Sequence, residues 1–229
     1  MRTNNRKWFG EKGLWIATFI PLLLTLIILP FLQESLPAHY DMAGNIDRWG
    51  SKYEQLILPI IIIVLSLFWK LFINYYRKKE MSAKTDKERQ EASSNKKIIY
   101  LVAIGSAIMF TLMHIAFIYS AVMTAIDSGN TSHLDINIIS NVPLGIFIIA
   151  IGNYLPKAKR NFFVGVRTSA SLKDDESWSK ENRFGGKILL LTGILIIIQA
   201  LLLGGMISTF ITIGLLLLAV IIIVIHSFS

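Results

Sequence analysis

GNYLPKAKRNFFVGVRTSASLKDDESWSKENRFGGK, residues Gly152–Lys187, lies between long apolar runs yet carries eight Lys or Arg and four acids. Charge at that density is too costly for hydrocarbon, so the segment is expected to be a water-facing loop. Its aromatics (Phe162, Phe163, Trp178, Phe184) and the closing pair Gly185-Gly186 suggest a loop folded back on the helix ends. What flanks it must then be membrane. Of the 229 residues, 53% are hydrophobic and only 17% charged, with mean hydropathy +0.56, which is outside the range of an ordinary soluble domain. The apolar residues are clumped, as in LPIIIIVLSLF and LLLLAVIIIVI, and such runs read as transmembrane helices.

Working outward, the first span is Leu14–Leu32, with Pro21 in its early turns and Pro30 near its end. It is read as an uncleaved span rather than a secretory signal, since no A-x-A-like site follows. A polar loop, Gln33–Gln55, leads to a second span, Leu56–Ile73, where Lys70 can snorkel towards Arg77, Lys78 and Lys79. Asn74–Lys97 is hydrophilic, and the pairs Glu80/Lys84 and Lys87/Glu91 suit a helical extension as well as they suit a solvated link. The third span runs from Ile98 as far as Ile126, and the fourth covers roughly Leu134–Ile151. Ile188–Ile225 is twice the length one crossing needs, so it predicts a helical hairpin turning at Gly204-Gly205 and Ser208-Thr209.

The predicted fold class is therefore an all-α integral membrane protein of six transmembrane helices. Of the 23 Lys and Arg, 21 fall on one face and only Arg48 and Lys52 on the other. The positive-inside rule makes the crowded face cytoplasmic, with both termini on it. It also accounts for the net charge of +8 without invoking direct nucleic-acid binding. The absence of cysteine excludes disulfides, thiolate metal sites and cysteine nucleophiles.

The outer loop contains LPAHYDMAGNIDRWGSK, residues 36–52, in which β-prone pieces flank the turn signal Met42-Ala43-Gly44-Asn45. A small hairpin is expected. Alternation would set His39 and Asp41 on one side and Tyr40 and Met42 on the other, with Tyr40 and Trp49 at headgroup level. His39, Asp41 and Asp47 are three potential metal ligands. Without a second histidine or an HExxH helix they read better as a folded cap whose polar groups pair internally, such as Asp47 with Arg48 or Lys52. His114, near mid-membrane in GSAIMFTLMHIAFIYS, finds no intramembrane acid as a relay partner and is expected to hydrogen-bond across helices. Ala103/Ala107 and Ala200/Gly204 allow close helix approach. His133 and His226 show no evident partner in the sequence.

Within residues 152–187, Lys157, Lys159 and Arg160 form an ordinary juxtamembrane basic cluster facing membrane lipid. Asn153, Asn161, Arg167 and Thr168 supply donors and acceptors, and Arg167 is expected to meet a carboxylate or a backbone carbonyl. Asp174-Asp175-Glu176 looks like the acidic first turn of a short helix capped by Ser171. No phosphate cradle, nucleophile elbow or carboxylate pair is present, so no catalytic residue, metal or cofactor is assigned, and the chain is read as a non-enzyme.

Gly152-Asn153-Tyr154-Leu155-Pro156-Lys157, Asn161-Phe162-Phe163-Val164-Gly165-Val166-Arg167-Thr168, Trp178 and Arg183-Phe184-Gly185-Gly186-Lys187 together resemble the signature of the SdpI family. Leu36-Pro37-Ala38-His39-Tyr40-Asp41, Gly44, Ile46-Asp47 and Gly50-Ser51-Lys52 resemble the uncharacterised domain that often precedes it. The chain departs from the family pattern at Arg160 (usually Pro), Ser169-Ala170 (usually Pro-Trp) and Glu181-Asn182 (usually Thr-His). The resemblance implies a division into an N-terminal helical hairpin (1–75), a charged cytoplasmic linker (76–97) and a four-helix membrane domain (98–229). It also implies a bacterial plasma-membrane immunity protein against a secreted, membrane-active toxin peptide. The family's best-known member also holds a cytoplasmic transcriptional repressor at the membrane when toxin is present. On that reading the outer functional loop would comprise Pro37, His39, Asp41, Gly44, Asp47, Trp49 and Lys52. The signalling loop would comprise Asn153, Tyr154, Pro156, Lys157, Asn161, Gly165, Arg167, Thr168, Trp178, Gly185 and Gly186. Two other classes remain open on the residues: a transporter or permeation pathway using His114, and a metal-dependent membrane enzyme at His39, Asp41 and Asp47.

Overall fold

The computed structural model describes residues 8–41, 43, 45–127, 134–161 and 163–228. Gly44, Met42, His133 and Phe162, singled out in the sequence, lie outside these residues. Six helices are long and apolar enough to cross a membrane: α1 (Gly13–Ile28), α2 (Ile57–Met81), α3 (Asp86–Ile126), α4 (Ile136–Tyr154), α5 (Asp175–Leu203) and α6 (Gly205–Phe228). A two-stranded antiparallel sheet, β1 (Ser35–Tyr40) with β2 (Ile46–Ser51), joins α1 to α2.

The chemistry of the surface is inverted relative to a water-soluble bundle. Leu23, Val64, Leu71, Leu201, Leu217 and Ile225 are exposed, while Thr18, Thr25, Ser66, His114, Asn141, Ser208 and Thr212 are buried between helices. Exposed aliphatics face a solvent as apolar as themselves, and the polar side chains satisfy one another inside. Thr18 Oγ1 donates to the Leu14 carbonyl at 2.7 Å and lies 2.7 Å from Ser66 Oγ, joining α1 to α2.

Alternation of the helices gives the bundle two ends. The hairpin end carries β1–β2, the start of α4 and the α5–α6 turn, where Asp135 reaches Gly205. The loop end carries the α2–α3 link and the α4–α5 loop, where Lys87 reaches Asp175. The hydrophilic stretch after α2 resolves in favour of helix. Only Ser82–Thr85 interrupts it, and a capping box of Thr85 and Glu88 restarts α3. Lys87 does pair with Glu91, but Glu80 pairs with Lys96 across the α2–α3 corner, not with Lys84 one turn away.

One expectation about α5 and α6 changes in part. The hairpin turns at Gly204-Gly205, whose φ of +58° and +55° suit glycine, but Ser208 and Thr209 lie inside α6. Ala103, Ala107 and Ala200 are buried, and close helix approach also runs along α4–α5, at Gly145 against Gly193 and at Gly152 against Gly186. There a Cβ on Gly193 would stand 2.6 Å from the Gly145 carbonyl oxygen, and one on Gly186 2.6 Å from that of Gly152. Both helices space these glycines by seven residues, two turns, so the four form one seam.

Asp135 closes the hairpin end. Its Oδ1 accepts from the N–H groups of Asn137 and Ile138 at 2.8 and 3.4 Å, capping α4, and its Oδ2 accepts from Gly205 N–H at 2.6 Å, capping α6. Partial burial works against its charge, but these donors prevail and hold the carboxyl below its usual range. A lowered folded pKa means that this stabilisation is complete above about pH 4 and fades as pH falls through the folded value. Asp135→Ala is expected to cost about 2 kcal/mol, one for each cap. Asp135→Asn should reduce the loss of thermal midpoint between pH 5 and pH 3, measured in detergent.

Candidate functional site

The α4–α5 loop is built by asparagines. After a single 3-10 turn at Leu155–Lys157, the chain runs extended, and Lys159 N–H donates to Asn95 Oδ1 on α3 at 3.0 Å. Asn161 then clamps the bend. Its Oδ1 accepts from the N–H groups of Phe163 and Val164 at 2.7 and 2.8 Å, and its Nδ2 donates to the carbonyls of Lys159 and Val164 at 2.7 and 2.8 Å. Next, Gly165 adopts φ +134°, a conformation nearly restricted to glycine, directly over the Trp178 ring. Trp178 is buried in the first turn of α5 and donates its Nε1–H to the Ala158 carbonyl at 2.7 Å. Asn182, one turn on, accepts from Val166 N–H at 2.8 Å and donates to the Trp178 carbonyl at 2.9 Å. Thr168 and Ser171 close the last bend reciprocally, and Ser171 Oγ also donates to the Val166 carbonyl at 2.8 Å. Many polar backbone groups of the bend are answered by side chains, which is how irregular backbone survives burial.

This loop is also where the apolar clusters of the protein meet. Val164 packs against Leu14, Ile73, Tyr76 and Ala103 of α1–α3, against Ile98, Ala158 and Trp178, and against Leu155, Val166 and Ile223. Beside it, the Phe163 ring sits edge-on to Phe72 and Tyr75 of α2, at 4.7 and 5.4 Å between centroids. This two-residue contact is one of the ties between the first three helices and the last three, alongside the Asn95 bond to Lys159 and the Lys87–Asp175 pair.

Three expectations about the segment change. Ser171 does not cap a helix. Asp174 does, through Ser177 N–H at 2.7 Å, and that hydrogen bond holds its carboxyl below the usual range. The helix it caps is α5 itself, so 175–187 is a helical extension of a span and not a loop. Gly185 and Gly186 accordingly sit mid-helix, where Gly185 admits Val166 and Gly186 admits Gly152 and Pro156. Of the remaining sequence candidates, Lys157 lies over the Tyr154 ring at 4.1 Å, and Asn153 and Arg167 are exposed.

His226 does have a partner. Its Nδ1 lies 3.0 Å from Glu181 Oε2, Ser227 Oγ donates to the same oxygen at 2.8 Å, and the imidazole stacks on Phe184 at 3.6 Å and 8°. The carboxylate oxygen receives both groups, so Ser227 is not set against the imidazole as a nucleophile would be against its base. Asn95, Asn182 and Glu181 are the residues sequence reading missed. The latter two stand where the chain departs from the family pattern, and that departure was the available signal.

At the other end, the expected hairpin forms, but its pairs differ. A register irregularity between Pro37 and Tyr40 breaks simple alternation. His39 Nδ1 meets Asp47 Oδ1 at 2.6 Å across the strands, while Asp41 is turned into its own bend, accepting from Ala43 and Asn45 N–H at 2.9 and 2.8 Å. Asp47 thus pairs with neither Arg48 nor Lys52. Arg48 instead forms a fork with Glu54 at 3.0 and 2.8 Å, which raises its pKa and lowers that of Glu54. Lys52 donates to Glu34 at 2.8 Å, which raises the lysine pKa. Among the described residues no group of three or more His, Asp or Glu converges as a metal cluster would. Pro37 pairs opposite Trp49, whose indole is 46% exposed and is the hairpin's free apolar surface.

Between the two ends, His114 Nε2 lies 2.7 Å from Thr25 Oγ1, and Thr25 in turn donates to the Pro21 carbonyl at 2.8 Å. With its proton so used, the threonine oxygen accepts, so the His114 Nε2–H donates to it across the helices, as its sequence setting suggested.

The family model described as SdpI/YfhL protein family matches residues 157–227, the stretch from the asparagine-built loop through α6. A domain of unknown function, DUF1648, matches residues 16–63, which contain the hairpin. The Immunity protein SdpI of Bacillus subtilis (strain 168) is 24% identical over 190 residues, covering 82% of this chain and 80% of that protein. The Uncharacterized membrane protein YbgB of the same organism is 32% identical over 65 residues, covering 28% of this chain and 69% of that protein. The C-terminal third of the chain is thus similar to the SdpI/YfhL protein family. With six helices among its described residues long and apolar enough to cross a membrane, it is a multi-pass bacterial membrane protein. No solved structure matches it.

Proposed function

We propose that this protein is an immunity protein, protecting the cell that makes it against a secreted, membrane-active peptide. The observation that carries this reading is the arrangement of two motif-bearing regions at opposite ends of one bundle, the inner of which packs through Val164 and Phe163 against helices of both halves. The similarity to Immunity protein SdpI supports the biological role. The charge distribution supports a cytoplasmic asparagine-built loop and an outer hairpin.

In this reading the hairpin meets the peptide first. Exposed Trp49 offers an apolar anchor, with His39 and Asp47 beside it, while the Arg48–Glu54 fork and the Lys52–Glu34 pair fix the strands beneath. The inner loop reports occupancy to a cytoplasmic protein, a transcriptional repressor by analogy with the family. Such transfer requires two bundle states with different peptide affinity. His114, spent on Thr25, is left a structural role rather than a transport one.

Survival of a sensitive strain expressing this chain, challenged with candidate secreted peptides, tests the proposal. Trp49→Ala should raise the peptide's apparent dissociation constant by about thirtyfold, the typical consequence of losing a central aromatic anchor, and protection should fall with it. Arg167→Ala should abolish inward signalling while peptide binding persists. Full protection by the Trp49 variant would remove the hairpin from the mechanism.

A further inference from the structure

The polar half of α5 carries Lys180, Arg183 and Lys187 at spacings of three and four, so all three project from one face. Together with Ser179, Phe184 and His226 they line an open groove of about 810 Å³ beside the end of α6. Several other cations at this end of the bundle are paired. Lys70 and Arg77 share Glu11, Lys96 takes Glu80, and Lys87 and Arg160 share Asp175. Among the described residues no carboxylate lies within ion-pair distance of the three groove cations, and Arg183 bonds only Ser179 of its own helix. Asp175 and Glu176 also line the groove, about 16–18 Å along the axis from Lys187.

Depth along the membrane normal is informative. Lys187 directly precedes the apolar run that begins at Ile188. At 1.5 Å per residue, Arg183 lies about 6 Å and Lys180 about 10 Å beyond it, spanning a headgroup layer about 7 Å thick. The floor of the groove is flat and rigid, since Phe184 is stacked on an imidazole that Glu181 holds from the buried side. We propose that this groove binds the phosphate headgroup of an anionic phospholipid, with the Arg183 fork and the Lys187 ammonium on the phosphate and Lys180 on its outer charge. A bound lipid would thereby brace the end of α6 against the helix that carries Trp178 and Asn182. The site does not depend on the immunity reading.

The test uses the full chain, purified in detergent and titrated with phosphatidylglycerol or phosphatidylcholine in mixed micelles, with retained lipid read by native mass spectrometry. Each cation near the surface contributes about 1 kcal/mol, or fivefold, so the K180Q/R183Q/K187Q variant should lose at least tenfold of its preference for phosphatidylglycerol. The charge-matched variant K79Q/K84Q/K173Q, at exposed lysines away from the groove, should keep it. Equal losses in both would reduce the effect to bulk charge and overturn the site. Displacement of the lipid by millimolar inorganic phosphate would overturn the lipid assignment in favour of a soluble anion, and preferential retention of polyglutamate would overturn it in favour of an acidic protein partner. Should the triple variant not fold, Lys187→Gln alone carries the same test at about fivefold.

Discussion

Gly165→Ala is expected to cost roughly 3 kcal/mol or more, lowering the thermal midpoint of the detergent-solubilised protein by about 10 °C. Two effects act together. The φ of +134° lies where an alanine is strained, and the new Cβ would stand 2.6 Å from the Trp178 ring and 2.7 Å from Asn182 Oδ1. Neither neighbour can yield cheaply. Trp178 is pinned by its bond to the Ala158 carbonyl, and Asn182 by bonds to Val166 and Trp178. Displacing them would also shift Val164, on which three apolar clusters converge. The damage should therefore not stay local, and near-ultraviolet circular dichroism should report loss of the Trp178 environment along with the lower midpoint. A midpoint within 2 °C of the parent would mean that the bend is not held as described.

How far the sequence reaches is clear from particular residues. The spans were legible because hydrocarbon thickness imposes a length, and apolar runs such as those in α2 and α6 obey it with few interruptions. The hairpin was legible from its turn residues. Where α5 begins was not, because 175–187 is polar on a helix that continues into the membrane, and polarity reports the solvent rather than the backbone. The pairings around His39, Asp47 and Glu181 were equally hidden. They depend on a register irregularity and on α6 ending beside α5, and neither leaves a mark in local sequence. Asn161 was noticed as a polar group, but its clamp became visible only with the carbonyls and amides it answers.

The seam between α4 and α5 was missed for a related reason: small residues at four-residue spacing are the familiar sign of close helices, whereas these glycines recur at seven. The consequence is a second large effect. Gly186→Leu should cost about 4 kcal/mol, because the first atom added would stand 2.6 Å from the Gly152 carbonyl and 2.9 Å from Pro156. A backbone carbonyl cannot change rotamer, so the helices must part, and the Gly145–Gly193 contact two turns away opens with them. The loop spans the same two helices, so its Asn182–Val166 bond stretches as they separate. Gly214→Ala on α6, where an added Cβ meets nothing within 4 Å, provides the control and should be neutral or slightly stabilising through helix propensity. Thermal unfolding of both variants in the same detergent separates a specific seam from general sensitivity of glycines in membrane helices. Equal midpoints for the two would leave α4 and α5 held by ordinary aliphatic packing, and the coupling of the loop to the seam would lose its structural basis.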